Sequence, residues 1–338
     1  MWRDVTRSAD HRRIFRDEFD GWLPDRLCDM HVHVFNRAAC GVRSYDCAGH
    51  KLAQYDLADL ATDLAAVLPG RRVTALCFGL PIPARDWRAG NRYLGGRLPA
   101  GRHALRLLNP AADTPAVVEQ ELDAGRYLGF KPYPDFVTGR DPKRITVAAM
   151  LPGWAMEIAA ARQLIVTLHI PRPGRLADPV NLAGLERLAR DHRGARIVVA
   201  HIGRAHFLKC IAGNIERLLK HPNLFFDLAM LNSADVLEYA FRVIPAERIL
   251  YGSDIPIALA PGKSVEINDQ YSYVTPVPWE LSIADTGRRI RFTSFLYEEL
   301  RAVRTAMRRR RLGDRFAERI FYENGMGLIQ TAQKGSQR

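Results

Sequence analysis

The chain has 338 residues, 47% of them apolar and 25% charged, which permits one large domain with a substantial core. Its formal net charge is +12, but arginine is spread along the chain, and the one dense run is Arg308 to Arg311. The charge therefore reads as solvated surface, and no helix-turn-helix, zinc-finger or RNP pattern points to nucleic acid. No run of about 18 uncharged apolar residues predicts a membrane span, and the charged N-terminus lacks a secretory signal. Five cysteines, odd in number and without a CxxC pair, read as free thiols in a reducing compartment. A cytoplasmic protein without membrane or nucleic-acid partners is expected.

Residues 1–26 form an N-terminal extension. A repeating pattern then starts with LCDMHVHVF at 27–35. Further β-rich runs follow at 73–80, 102–109, 127–133, 164–170, 195–202, 224–230 and 248–254. Helical spacing separates them, first in DLADLATDLAAVL and TPAVVEQELDAG. ITVAAMLPGWAMEIAAARQ comes next, kinked or split at Pro152. DPVNLAGLERLARDH has Asp178 as N-cap and Pro179 at the first helical position. HFLKCIAGNIERLLKHP and SADVLEYAFRVIP complete the helical set. Strands alternating with helices imply parallel pairing with helical crossovers. Eight such units predict an α/β fold, a closed (β/α)8 TIM barrel in a single domain over 27–330. A doubly wound open sheet competes, but no glycine-rich phosphate turn follows the first strand. Two connections, 36–56 after the first strand and 255–290 after the eighth, are too long for plain turns. Both belong to the C-terminal face, where such loops act as lids or binding loops. Residues 331–338 are polar and read as a disordered tail.

His31 and His33 are two apart and share one side of the first strand. His169, His201 and Asp254 end three other predicted strands. In a barrel all five converge on one mouth. Four imidazoles and a carboxylate suit zinc, or manganese, iron or cobalt. Burying them without partners would be costly. Lys131, in GFKPYP, faces the same mouth by register. It reads as a carbamylated bridge between two metals, as a cation holding a substrate carboxylate, or as an amine reaching solvent at the rim. Arg172 and Arg204, just past His169 and His201, are candidates for binding an anion through a bidentate fork. His206 and His50 are outside candidates for the pocket.

HVH, GFKPYP, VTLH, VVAHIG and YGSDIP, in this order, resemble the amidohydrolase superfamily, and above all its amidohydrolase-related branch. ERIFYENGMGLI is similar to that branch's final helix. The opening HVHVFN departs from the branch's usual pattern. The resemblance implies a metal-dependent barrel over about 27–330. His31, His33, His169 and Asp254 would hold a single divalent ion, zinc first. His201 would be the general acid/base or, with Lys131, would help hold a second ion. Asp254 would also accept a proton from water. A divalent ion lowers the pKa of bound water from about 15.7 to about 7. The implied reaction is hydrolysis of a small, carboxylated lactone, amide or ester by metal-activated water. The alternative is a lyase, a non-oxidative decarboxylase of an aromatic or enoic acid in which His201 protonates the carbanion. The partner is a small-molecule substrate, and the helical exterior leaves room for a homo-oligomer.

Overall fold

The computed structural model describes residues 2–41, 44–82, 86–125 and 127–336. The eight predicted strands are all present. They are β1 (Arg26–His33), β2 (Arg72–Phe78), β3 (Arg102–Ala104, resuming as Arg106–Leu108), β4 (Gly129–Pro132), β5 (Ile165–Leu168), β6 (Arg196–Val199), β7 (Leu224–Asp227) and β8 (Ile249–Leu250). Every neighbouring pair is parallel, in the order β1-β2-β3 and β3-β4-β5-β6-β7-β8. The two halves of β3 meet at Leu105, whose N–H still donates to Cys77 O at 2.9 Å. The last seam is made by individual bonds: Met30 N to Tyr251 O (3.0 Å), Asp254 N to His31 O (2.8 Å) and His33 N to Ile255 O (2.7 Å). A parallel bridge between Val32 and Ile255 joins them. This is the (β/α)8 architecture, with strand C-terminal ends gathered at one mouth.

The ring holds one local irregularity that matters for the site. The β1–β2 register shifts between Asp29 and Val32. Cys28 and Met30 pack in the barrel interior with Leu76, Phe78 and Ile165, whereas Val32 belongs to the layer beneath the helices. A bulge resets which face a strand shows, so His31 and His33 follow Met30 to the inside. The Asp29 carboxylate stitches this kink. It accepts from His31 N at 3.1 Å, Ser253 N at 2.9 Å and Ser253 Oγ at 2.5 Å. Gly129 marks a second tight place, with φ +147°. A Cβ there would lie 1.8 Å from Ile165 O, where β4 meets β5.

Helices Leu57–Val67, Pro115–Asp123, Pro179–Asp191 and Ala234–Val243 form where the spacing predicts. Asp178 caps its helix by accepting from Val180 N and Asn181 N. Pro152 splits its segment into Val147–Met150 and Gly153–Ala161, as its missing N–H requires. Two expectations are corrected. Residues 206–222 do not make one helix: Leu208–Ile211 ends at an extended Ala212, and Gly213 turns with φ +78° before the 3-10 turn Ile215–Leu218. The tail is not disordered through 331–336. The helix Asn324–Ser336 continues there because Leu328, Ile329 and Ala332 plug the interior cluster from below. Residues 337 and 338 lie outside the described residues. The N-terminal extension is helical, and Phe15, Phe19 and Leu23 join the main core. All five cysteines are buried.

The two long connections carry structure of their own. The first holds a hairpin, Tyr45–Cys47 with His50–Leu52. The second holds a three-stranded sheet of Lys263–Ile267, Gln270–Thr275 and Ser282–Ala284. No helix among the described residues is long and apolar enough to cross a membrane.

Candidate active site

At the mouth lies a cavity of about 490 Å³, lined by both long connections and by the strand ends. His33, His169, His201 and Asp254 line it, and the buried His31 lies directly beneath. Ligand atoms of His31, His201 and Asp254 all fall within 4.8 Å of one another. Asp254 Oδ1 is 3.6 Å from His31 Nε2 and 3.4 Å from His33 Nε2, and its Oδ2 is 3.9 Å from His201 Nε2. His169 stands beside this group, its ring centroid 5.4 Å from that of His201. The tightest set therefore contains His201 rather than His169.

The outer nitrogens of three imidazoles are already engaged. His31 Nδ1 bonds to Asp227 Oδ2 at 2.9 Å, His33 Nδ1 to Gly79 O at 3.0 Å and His201 Nδ1 to Ala229 O at 2.9 Å. Each acceptor takes an Nδ1–H, which leaves the lone pair on Nε2, turned to Asp254. Metal-ligating histidines are held in this way by their outer partners. His169 Nδ1 is buried and has no partner among the described residues. Burial, reinforced by the Lys131 ammonium, pushes His31 and His33 down, His33 to about 3. Burial also lowers His169 and His201. Neutral imidazoles are the form that binds a cation. The donor set, its tautomers and its unmet nitrogen thus fit a divalent ion.

Lys131 is corrected from one of its sequence readings: it is fully buried and does not reach solvent at the rim. Its Nζ sits 3.4 Å from His31 Nε2 and 4.4 Å from the centre of the Phe78 ring. Burial lowers it to about 8, against the opposing pull of Asp227 and Asp254. Burial likewise raises the Asp254 carboxyl. Arg172 is also corrected. Its Nε bonds both oxygens of Asp178 at 3.1 and 2.9 Å, so it braces a helix cap and stays off the cavity wall. Arg204 does line the cavity, and no carboxylate among the described residues pairs with it.

Backbone strain aims these groups. His201, Ile202, Gly203 and Arg204 all have φ between 45° and 67°, a left-handed turn at the end of β6. Each non-glycine residue there costs about 1–2 kcal/mol. His201 N, donating to Asp227 Oδ1 at 2.7 Å, helps hold the turn. Met230 (φ 61°) and Asp254 (φ 67°) share the conformation. Such strain is held at functional sites when the surroundings over-determine it.

Sequence reasoning passed over Asp227. It ends β7 but stands in the middle of the predicted run 224–230, and its signal was a lone carboxylate in an otherwise apolar stretch, LFFDLAM. It also passed over Tyr133 in GFKPYP, which lines the cavity and leans on His169 at 4.9 Å. His206 proves to be a wall residue, its ring stacked 4.3 Å from Tyr271. His50 is not part of the cavity lining.

The model of the amidohydrolase family matches residues 28–270. No curated protein matches the chain. Among solved structures, an amidohydrolase from Burkholderia multivorans with bound HEPES superposes with a TM-score of 0.58 at 13% identity, covering 90% of this chain and 99% of its own. A zinc-bound form of that protein gives 0.52 at 13%, over 91% and 98%. A 2,6-dihydroxybenzoate decarboxylase with its benzoate gives 0.54 at 14%, over 91% and 100%. At these identities the likeness establishes the fold.

Proposed function

Because the chain belongs to the amidohydrolase family, we propose that it is a metal-dependent hydrolase of a small, carboxylated lactone, amide or ester. One observation carries this reading. His31, His201 and Asp254 meet within 4.8 Å at the floor of a cavity, and Arg204 lies on its wall with no salt bridge to a carboxylate among the described residues. His31, His201 and Asp254 would hold the ion, with His33 and His169 adjoining. When bound, a divalent cation would acidify water and polarise a carbonyl. Zinc is the first candidate, and a second ion beside it would require Lys131, buried next to His31, to be carbamylated. Arg204 would grip the substrate carboxylate and fix its orientation. Asp254 Oδ2 would take the proton from the attacking water and return it to the leaving group, since His201 Nε2 is given to the ion. Tyr45, Tyr133, Tyr271, Tyr273 and Trp279 would shield the reacting atoms from bulk solvent.

The same aromatic lining favours one second reading, decarboxylation of a planar aromatic acid with His201 protonating the ring carbon. A single panel separates the two. Chelated and zinc-, manganese- or cobalt-restored protein is assayed on carboxylated lactones, amides and esters, and in parallel for carbon dioxide release from hydroxybenzoates. Hydrolysis lost on chelation and regained with metal supports the proposal. Hydrolysis by metal-free protein, or carbon dioxide release alone, overturns it.

A further inference from the structure

Glu299 is a carboxylate placed where the reaction scheme has no use for one. It lies on the helix Phe295–Arg309 and is fully buried. One oxygen, Oε2, accepts from Met230 N at 2.8 Å, while Oε1 has no partner among the described residues. Met230 has φ +61°, a conformation an unbranched L-residue adopts only under constraint. The peptide that supplies this N–H is the Ala229–Met230 unit, and its carbonyl is Ala229 O. That oxygen is the acceptor for His201 Nδ1 at 2.9 Å. A peptide is planar, so an anchor on its N–H fixes the direction of its C=O. Leu231 N donates to Leu228 O at 3.0 Å and closes the turn around this unit, and Asp227 Oδ1 accepts from Ala229 N at 3.3 Å, but neither bond engages the Met230 N–H or the Ala229 carbonyl.

We propose that Glu299 is a positioning residue for His201: by holding the Ala229–Met230 peptide, it makes Ala229 O the acceptor that keeps the His201 proton on Nδ1 and turns Nε2 to the cavity. The proposal rests on the reading of His201 as a working imidazole, and it holds whether that nitrogen moves a proton or binds an ion. What Glu299 supplies is an acceptor at a fixed place, so an amide serves as well as a carboxyl. A shorter or apolar side chain leaves the Met230 N–H stranded and the peptide free to rotate.

The test needs no substrate. In full-length protein labelled with ¹⁵N-histidine, the His201 Nδ1–H signal is assigned by its absence from His201→Asn. Its exchange with solvent is then measured in Glu299→Gln, Glu299→Met and Glu299→Asp, each checked by thermal melting. Glu299→Gln is expected to keep the protected signal. Glu299→Met and Glu299→Asp are expected to exchange about 10-fold faster, as loss of one ordinary hydrogen bond implies. Should Glu299→Met not fold, the contrast between Asp and Gln decides, since both are polar and only Gln keeps the reach. A protected signal unchanged in Met and Asp, or lost equally in Gln, overturns the proposal. Because no turnover is measured, a wrong choice of reaction leaves the result interpretable.

Discussion

Asp227→Asn is the perturbation that bears most directly on the site. The Asp227 carboxylate is fully buried and accepts three hydrogen bonds, two on Oδ1 from His201 N and Ala229 N, and one on Oδ2 from His31 Nδ1. An asparagine can keep its carbonyl at the Oδ1 position and satisfy both backbone donors. Its NH2 then faces His31 Nδ1. Two donors cannot share that 2.9 Å contact, so His31 must present a bare Nδ1 and carry its proton on Nε2. Nε2 is the atom turned to Asp254, and a protonated nitrogen cannot ligate a cation. Zinc affinity is expected to fall about 10- to 100-fold, or about 1.4–2.8 kcal/mol. Melting of the metal-free protein should move little, because the backbone bonds survive. Asp227→Ala strands all three donors at about 1–3 kcal/mol each and should lower stability sharply. The assay is competition with a chromophoric chelator, paired with thermal melts. Folded Asp227→Asn binding zinc as tightly as the wild type would refute the assignment of His31 Nε2 to the ion.

Two further predictions concern Arg204 and His11. Arg204→Gln should raise KM for a carboxylated substrate about 10- to 100-fold at unchanged metal content, since a charged hydrogen bond is worth about 1.5–3 kcal/mol. Arg172→Gln, which breaks the brace to Asp178, should leave KM alone, and steady-state kinetics on the two variants checks both statements. His11 is buried, bonds Ser294 Oγ at 3.1 Å through Nε2 and stacks 3.7 Å from Tyr297. Burial, and secondarily Arg301, pushes it from 6.5 down to about 4. The native state therefore refuses a proton that the unfolded chain accepts. This contribution to stability is full above pH 6.5 and is lost as pH falls toward 4, by up to about 3 kcal/mol. Urea unfolding at pH 7 and pH 4.5 should show a smaller acid loss in His11→Phe than in the wild type. Equal losses would reject this account.

The chain shows how far a pattern reaches. The eight β-rich runs and the intervening helices were legible because strand and helix periods differ and because parallel crossovers need both. Asp178 with Pro179, and Pro152, marked boundaries through purely local chemistry, and the structure keeps both. The 206–222 segment misled because its apolar spacing is helical while Gly213 and the extended Ala212 break it. The tail misled because its Ala332 extends a face begun by Leu328 and Ile329, just before it, that only a barrel floor can bury. Arg172 and Arg204 look alike in sequence, and the presence of Asp178 beside one of them separates their roles.

Sequence by itself determined which groups stand at strand ends, since parity and position along a strand are local properties. It thereby named His31, His33, His169, His201 and Asp254 as one company. Tertiary structure alone decided how they face each other. The shift between Asp29 and Val32 turns the paired imidazoles inward after Met30, and the left-handed turn at His201 swings that ring and Arg204 to the same cavity. Burial of Lys131 and the partners of each Nδ1 were decided there too. Those outcomes depend on atoms from Asp227, Ala229, Gly79 and Ser253, which are brought together only when the ring closes.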